Sequence, residues 1–168
     1  SQANDTSYTA VLSPDGRQLA FGSYASNLVA DDTNGSDMFV KDLNTGAITL
    51  VSTAADGTLA SDNYSDSPVF SPDGSQLAFV RYALVGGLNY SSYIFVKDLN
   101  TGAITLVSTA ADGTLADNFS YAPVFSPDGS QLAFASYASN LVAGDTNGTD
   151  DIFVKDLNTG AITLVSTA

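Results

Sequence analysis

Phe39-Val40-Lys41-Asp42-Leu43-Asn44-Thr45-Gly46-Ala47-Ile48-Thr49-Leu50-Val51-Ser52-Thr53-Ala54 occurs three times in this chain, again at 95–110 and at 153–168, without a substitution. A second marker, Ser-Pro-Asp-Gly, begins at Ser13, Ser71 and Ser126, which sets a period of about 55 to 58 residues. The chain therefore divides into three copies of one unit, at 1–54, 55–110 and 111–168. Old repeats drift wherever packing tolerates change. Identity this high points to recent duplication, deliberate design or excision from a longer array.

Each unit reads as four short strands separated by turns. In the third copy the first strand is 122–126, with Pro123 near its start, where a missing N–H is tolerated. Pro127-Asp128-Gly129 then supplies a preset φ, a side chain that bonds back to the backbone, and a residue free to take positive φ. The second strand is 131–137, a long loop covers 140–150, the third strand is 151–157, and Asn158-Thr159-Gly160 turns into a fourth strand at 161–167. The composition agrees: Val, Thr, Tyr, Phe, Ser and Gly are plentiful and strong helix formers are scarce. An all-β fold follows. One four-stranded sheet leaves an apolar face uncovered, so neighbouring sheets are expected to stack, radially around a channel.

Pro123-Val124-Phe125-Ser126-Pro127-Asp128-Gly129, the following Leu132-Ala133-Phe134, and Asp151-Ile152-Phe153-Val154-Lys155-Asp156-Leu157-Asn158-Thr159-Gly160 resemble the blade of TolB-type, WD-repeat-like β-propellers with their Pro-Asp motif. The resemblance extends over all three units. The Asn-Leu-Val-x-x-Asp-Thr-Asn-Gly insertion, beginning at Asn27 and Asn140, is similar to repeats of bacterial secreted and surface proteins. The resemblance implies a propeller fold and a binding or scaffolding role, and by itself no reaction.

Propellers usually close with 4 to 8 blades, and three do not make a ring. Rings of identical three-blade chains have blade numbers in multiples of three, and six is the multiple inside that range. A homodimer closing a six-bladed ring is the leading expectation, with a nine-bladed homotrimer second. No blade is split between the ends of the sequence, so each copy contributes whole blades and closure falls to side-chain packing between blade faces. A piece of a longer array is the remaining reading of the same repeats.

The 18 acidic groups are all Asp, set against 5 Lys and Arg, and the net charge is −13. That balance argues against nucleic acid and anionic membrane as partners. There is no His and no Cys, which removes Ser-His-Asp and Cys-His catalysis, zinc sites of the usual ligands, and disulfides. The first residues have neither a basic start nor an apolar run, so no signal peptide is read there. A non-enzymatic module that requires no cofactor is expected.

In a four-stranded blade the Pro-Asp-Gly and Asn-Thr-Gly turns share one side of the disc, and the second-to-third loops and connectors share the other. The first side is nearly balanced in charge, whereas the second collects twelve Asp, with Arg81 as its only basic residue. Asp32, Asn34 and Asp37 in the first copy, and Asp145, Asn147 and Asp151 in the third, are the candidate metal ligands, because short oxygen side chains around a Gly turn suit Ca²⁺. The alternative is an Asx turn with Asn-Gly at the left-handed positions. The EF-hand spacing is not matched, and the second copy has Val85-Gly86-Gly87-Leu88-Asn89-Tyr90 instead. Tyr24, Tyr82 and Tyr137 line a ligand groove or fill the core, the latter being the commoner use of strand aromatics. Arg81 is either a solvated strand-end charge or the partner of a nearby Asp.

Overall fold

The computed structural model describes residues 2–30, 32, 35–53, 64–85 and 89–167. Three blades are present. The first contains β1 (Ser7–Leu12), β2 (Gln18–Ser23), β3 (Asp37–Asp42) and β4 (Ile48–Leu50). The second contains β5 (Tyr64–Phe70), β6 (Gln76–Val85), β7 (Asn89–Asp98) and β8 (Ile104–Leu106). The third contains β9 (Ser120–Phe125), β10 (Gln131–Ser136), β11 (Asp151–Asp156) and β12 (Ile162–Leu164). Each is an antiparallel meander with its strands in sequence order. Among the described residues no helix is long and apolar enough to cross a membrane.

The first strands converge: β1 touches β5 and β5 touches β9, while β4, β8 and β12 meet no other blade. The sheets therefore splay like spokes from their first strands. No contact joins β1 to β9, so the three blades form an open arc.

The turns behave as their residues dictate. Asp73 Oδ1 accepts hydrogen bonds from Ser71 Oγ at 2.6 Å and from the Ser75 N–H at 3.0 Å, while Ser71 Oγ accepts the Gln76 N–H at 2.9 Å. Asp128 repeats this with Ser126 and Ser130. These donors favour the ionised carboxylates and hold Asp73 and Asp128 down at about 2. Gly74 and Gly129 take φ of +74°, and the Pro of the preceding turn lies beside each, so successive turns stack along one side of the arc.

Three details depart from the sequence reading. The fourth strands are three residues long, because past Leu164 the ladder is continued by a side chain: the Ile152 N–H donates to Ser166 Oγ at 3.0 Å, as the Met38 N–H does to Ser52 Oγ and the Ile94 N–H to Ser108 Oγ. The first strand of the third blade begins at Ser120 and carries a bulge at Ala122 with φ of +53°, matched by Thr9 and Ser67 in the other blades. In the second blade, which has no Asn-Leu-Val insertion, β6 and β7 run on to ten residues each as a long hairpin.

Gly22 pairs with Tyr8 across β1 and β2, and the tyrosine ring lies over it. A Cβ there would sit 2.4 Å from a ring carbon. The ring is fixed in turn by its hydroxyl, which donates to the Ser65 carbonyl at 2.9 Å and meets Ser36 Oγ. Gly22→Ala is expected to destabilise the fold by about 1–3 kcal/mol through overpacking, read as a lowered urea midpoint.

Candidate functional site

The two faces of a blade are chemically different. One carries small aliphatic groups, Ala20, Met38, Val40 and Val51 in the first blade; the other carries larger ones, Phe70, Leu77 and Phe79 in the second, and these two sets form one buried cluster. The same pairing recurs one step on, where Ala78, Val80, Ile94, Val96 and Val107 pack on Leu132, Phe134 and Phe153. Each seam joins the aliphatic face of one blade to the aromatic face of the next.

The end blades lack one partner each. Met38 and Ile94 are 0% exposed, but the equivalent Ile152 is 43% exposed. Val51 and Val107 are 0% and 2% exposed, and Val165 is 51% exposed. At the other end Leu12 and Leu43 are exposed, and Tyr8, Ala10, Leu19, Phe21 and Lys41 line a hollow in the open aromatic face. The arc thus ends in two unlike apolar faces.

Polar groups are threaded through the seams. Lys97 Nζ, buried, donates to Thr53 Oγ1 of the preceding blade at 2.9 Å. Lys155 Nζ donates to Thr109 O at 2.8 Å, to Thr109 Oγ1 at 3.0 Å and to Ala110 O at 3.1 Å. Burial lowers the pKa of both ammonium groups. These lysines belong to the invariant segment, and only their spacing against the Thr of the previous copy signals the contact.

Arg81 is buried in the seam between the first two blades, and is not a solvated strand end. Its guanidinium lies 4.7 Å from the Phe95 ring centroid and 5.7 Å from that of Phe79, and Nη2 donates to Thr53 O at 3.3 Å. The strand register puts Ser23 and Ser136 at its place in the sister blades. Burial lowers its pKa, and Asp37 across the seam opposes that shift.

Of the six candidate metal ligands five are described, Asp32 and Asp37 in the first blade and Asp145, Asn147 and Asp151 in the third. Asp37 and Asp151 open β3 and β11, and each accepts the serine that follows the fourth strand, at 2.6 Å from Ser52 Oγ and 2.5 Å from Ser166 Oγ. Asn147 points its amide N–H at Asp151 Oδ2, at 2.8 Å, and its oxygen accepts the Thr149 N–H at 2.9 Å, the geometry of an Asx turn. Asp32 is buried near Asp37, Asp145 is half-buried in the loop before β11, and Asn34 lies outside the described residues. Among the described residues no three acidic side chains converge on one point.

Of the three tyrosines read as second-strand residues, only Tyr82 lies in its strand, while Tyr24 and Tyr137 follow directly after β2 and β10, which end at Ser23 and Ser136. Tyr24 and Tyr137 are exposed and Tyr82 is half-buried. Tyr8 stacks on Tyr64 at 5.7 Å, with Tyr24 at 5.6 Å from Tyr8 and Tyr82 at 5.3 Å from Tyr64. Burial raises the pKa of Tyr8, Tyr64 and Tyr82, and the Asp66 carboxylate adds to each shift.

Burial pushes the Asp37 carboxyl up to about 6, helped by Asp32 and opposed by Ser52 and Arg81. An unfolded Asp ionises near 3.9, so the unfolded state loses its proton first and stability falls as pH rises from about 4 to about 6, then levels off. The effect is up to about 3 kcal/mol. Asp37→Asn is expected to remove this slope, measured as the difference between urea unfolding at pH 4 and at pH 7.

No family model matches the chain. It is 31% identical over 112 residues to dipeptidyl-peptidase 5 of Porphyromonas gingivalis, a match covering 66% of this chain and 15% of that one. Among solved structures, it is similar to a puromycin-hydrolyzing peptidase of Mycobacterium tuberculosis, with a TM-score of 0.63 and 19% identity over 98% of this chain and 24% of the other. The β-propeller domain of the Trilobed protease of Pyrococcus furiosus, described as having an open velcro topology, matches with a TM-score of 0.62 and 16% identity over 95% of this chain and 41% of its own. This chain therefore spans well under half the length of each of these relatives. At these identities the likeness concerns the fold, and the three sheets described above are β-propeller blades.

Proposed function

We propose that this chain is a non-enzymatic, self-assembling propeller module whose two open faces pair between copies, with two chains closing a six-bladed ring. One observation carries the reading. Ile152 and Val165 are exposed on the last blade, while their counterparts Met38, Val51, Ile94 and Val107 are buried by the blade that follows. The face that would bury them, built from Leu12, Leu19, Phe21 and Leu43, is the open face of the first blade. A second copy docked head to tail repeats a seam the chain already makes twice. The absence of His and Cys from the sequence supports a role without nucleophilic triad chemistry.

A second reading has a specific observation in its favour. The matched segment is 15% of dipeptidyl-peptidase 5, so the open faces would also suit a stretch of blades inside a longer, peptidase-type propeller. Adding further blades to the chain separates the readings, because in the second they raise stability and abolish self-association.

The expected mass in solution by light scattering is twice 17.3 kDa. Ile152→Asp combined with Val165→Asp places charge on the open face and is expected to return the mass to that of one chain with the β-sheet circular dichroism retained. A folded wild-type monomer at all accessible concentrations would sink the assembly reading.

A further inference from the structure

The chain has three lysines, one per blade at the same position of the invariant segment: Lys41, Lys97 and Lys155. Two of them are buried and latched onto the end of the preceding blade. Lys97 reaches Thr53, and Lys155 reaches Thr109 and the Ala110 carbonyl. Lys41 projects from the same strand position on the same side of its sheet, since its register with Leu19 and Ile48 repeats that of Lys97 with Leu77 and Ile104. It borders the hollow in the open aromatic face, and among the described residues its ammonium makes no hydrogen bond, unlike those of Lys97 and Lys155.

The matching acceptor stands at the far end of the arc, where no described side chain donates to it. Thr167 is exposed where Thr53 and Thr109 are buried. Its backbone repeats one hydrogen bond of the Thr109 receptor: the Thr167 N–H donates to Val165 O at 2.8 Å, as the Thr109 N–H donates to Val107 O at 2.7 Å. The hydroxyl and carbonyl that take Lys155 at one seam thus have their copy presented at the chain's last described turn.

We infer that Lys41 of one copy is received by Thr167 of a second copy, a lysine latch that is incomplete within a single chain and that sets the register in which the open faces meet. This rests on the assembly reading and adds an address to it. Apolar faces alone slide against each other at little cost, whereas an ammonium desolvated at the seam needs its hydroxyl and carbonyl acceptors in place.

Peptide-resolved acylation with an amine-reactive ester tests the latch on the intact wild-type chain. In the assembled state Lys41 is expected to be protected to the same degree as Lys97 and Lys155. On dilution to the monomer, Lys41 alone becomes reactive. Lys41→Met keeps the stem and removes the ammonium, and it is expected to weaken assembly by ~10-fold or more at unchanged monomer stability, with Thr167→Val weakening it in the same direction. A dimeric wild type whose Lys41 labels freely, or a Lys41→Met chain that dimerises as tightly as wild type, overturns the latch and leaves assembly standing. A wild type that stays monomeric with Lys41 always labelled overturns both.

Discussion

The structure depends on a mismatch between the two sides of each sheet. One side offers small aliphatic groups and the other aromatic and leucine side chains, so two blades fit only when unlike sides meet. A sheet of four strands exposes more apolar surface than it covers by itself, and stacking is what removes that surface from water. Because the pairing is between unlike faces, it has a direction, and a directional contact between identical units either propagates or closes on itself. Everything else in the chain, from the stacked turns to the convergence of β1, β5 and β9, follows from repeating that one step.

Charge inside the seams sharpens this picture. Arg81, Lys97 and Lys155 are buried among hydrophobic groups, where an unpaired cation would be costly. The lysines are satisfied by backbone and threonine oxygens; Arg81 donates to a carbonyl and lies beside two aromatic rings, with Asp37 as the nearby anion, while its buried Nε has no hydrogen-bond partner among the described residues. Their hydrogen-bond acceptors all sit on the neighbouring blade, while the two aromatic rings beside Arg81 belong to its own. These contacts add little that the apolar clusters do not already supply in stability, and much in fixing how one blade is placed on the next.

The repeat made the fold legible. An invariant segment, a Pro-Asp-Gly turn and an Asn-Thr-Gly turn at constant spacing lead directly to four antiparallel strands per unit and to stacked sheets. What escaped was set by side-chain contacts, some inside a unit and some between units. The shortness of β4, β8 and β12 depends on Ser52, Ser108 and Ser166 replacing a strand residue as acceptor, and a hydroxyl in a run of β-forming residues carries no visible sign of that role. Arg81 reads as a surface charge in one dimension, and only the closeness of Phe79, Phe95 and Thr53 makes it internal. Nor does the sequence alone reveal that Asp37 and Asp151 each turn inward onto a serine.

Two near-identical outer hairpins also pose a problem of recognition during folding. β3–β4 and β11–β12 differ only at Met38 and Ile152, whereas β7 adds Asn89–Ile94 to the shared segment, so the first and third outer halves cannot tell which inner half each belongs to. Discrimination falls to the inner strands, where the copies differ. Tyr8 lies against Gly22, Asp66 pairs with Val80, and Tyr121 pairs with Ala135. The tyrosine ring over Gly22 has no room for a Cβ, so β1 mispaired onto β6 would meet Val80 where it needs a bare backbone. β10 is different: Ala135 already accommodates Tyr121 opposite it, so the bare backbone at Gly22 sets β1 apart from β6 alone, one wrong partner disfavoured by one missing methyl group.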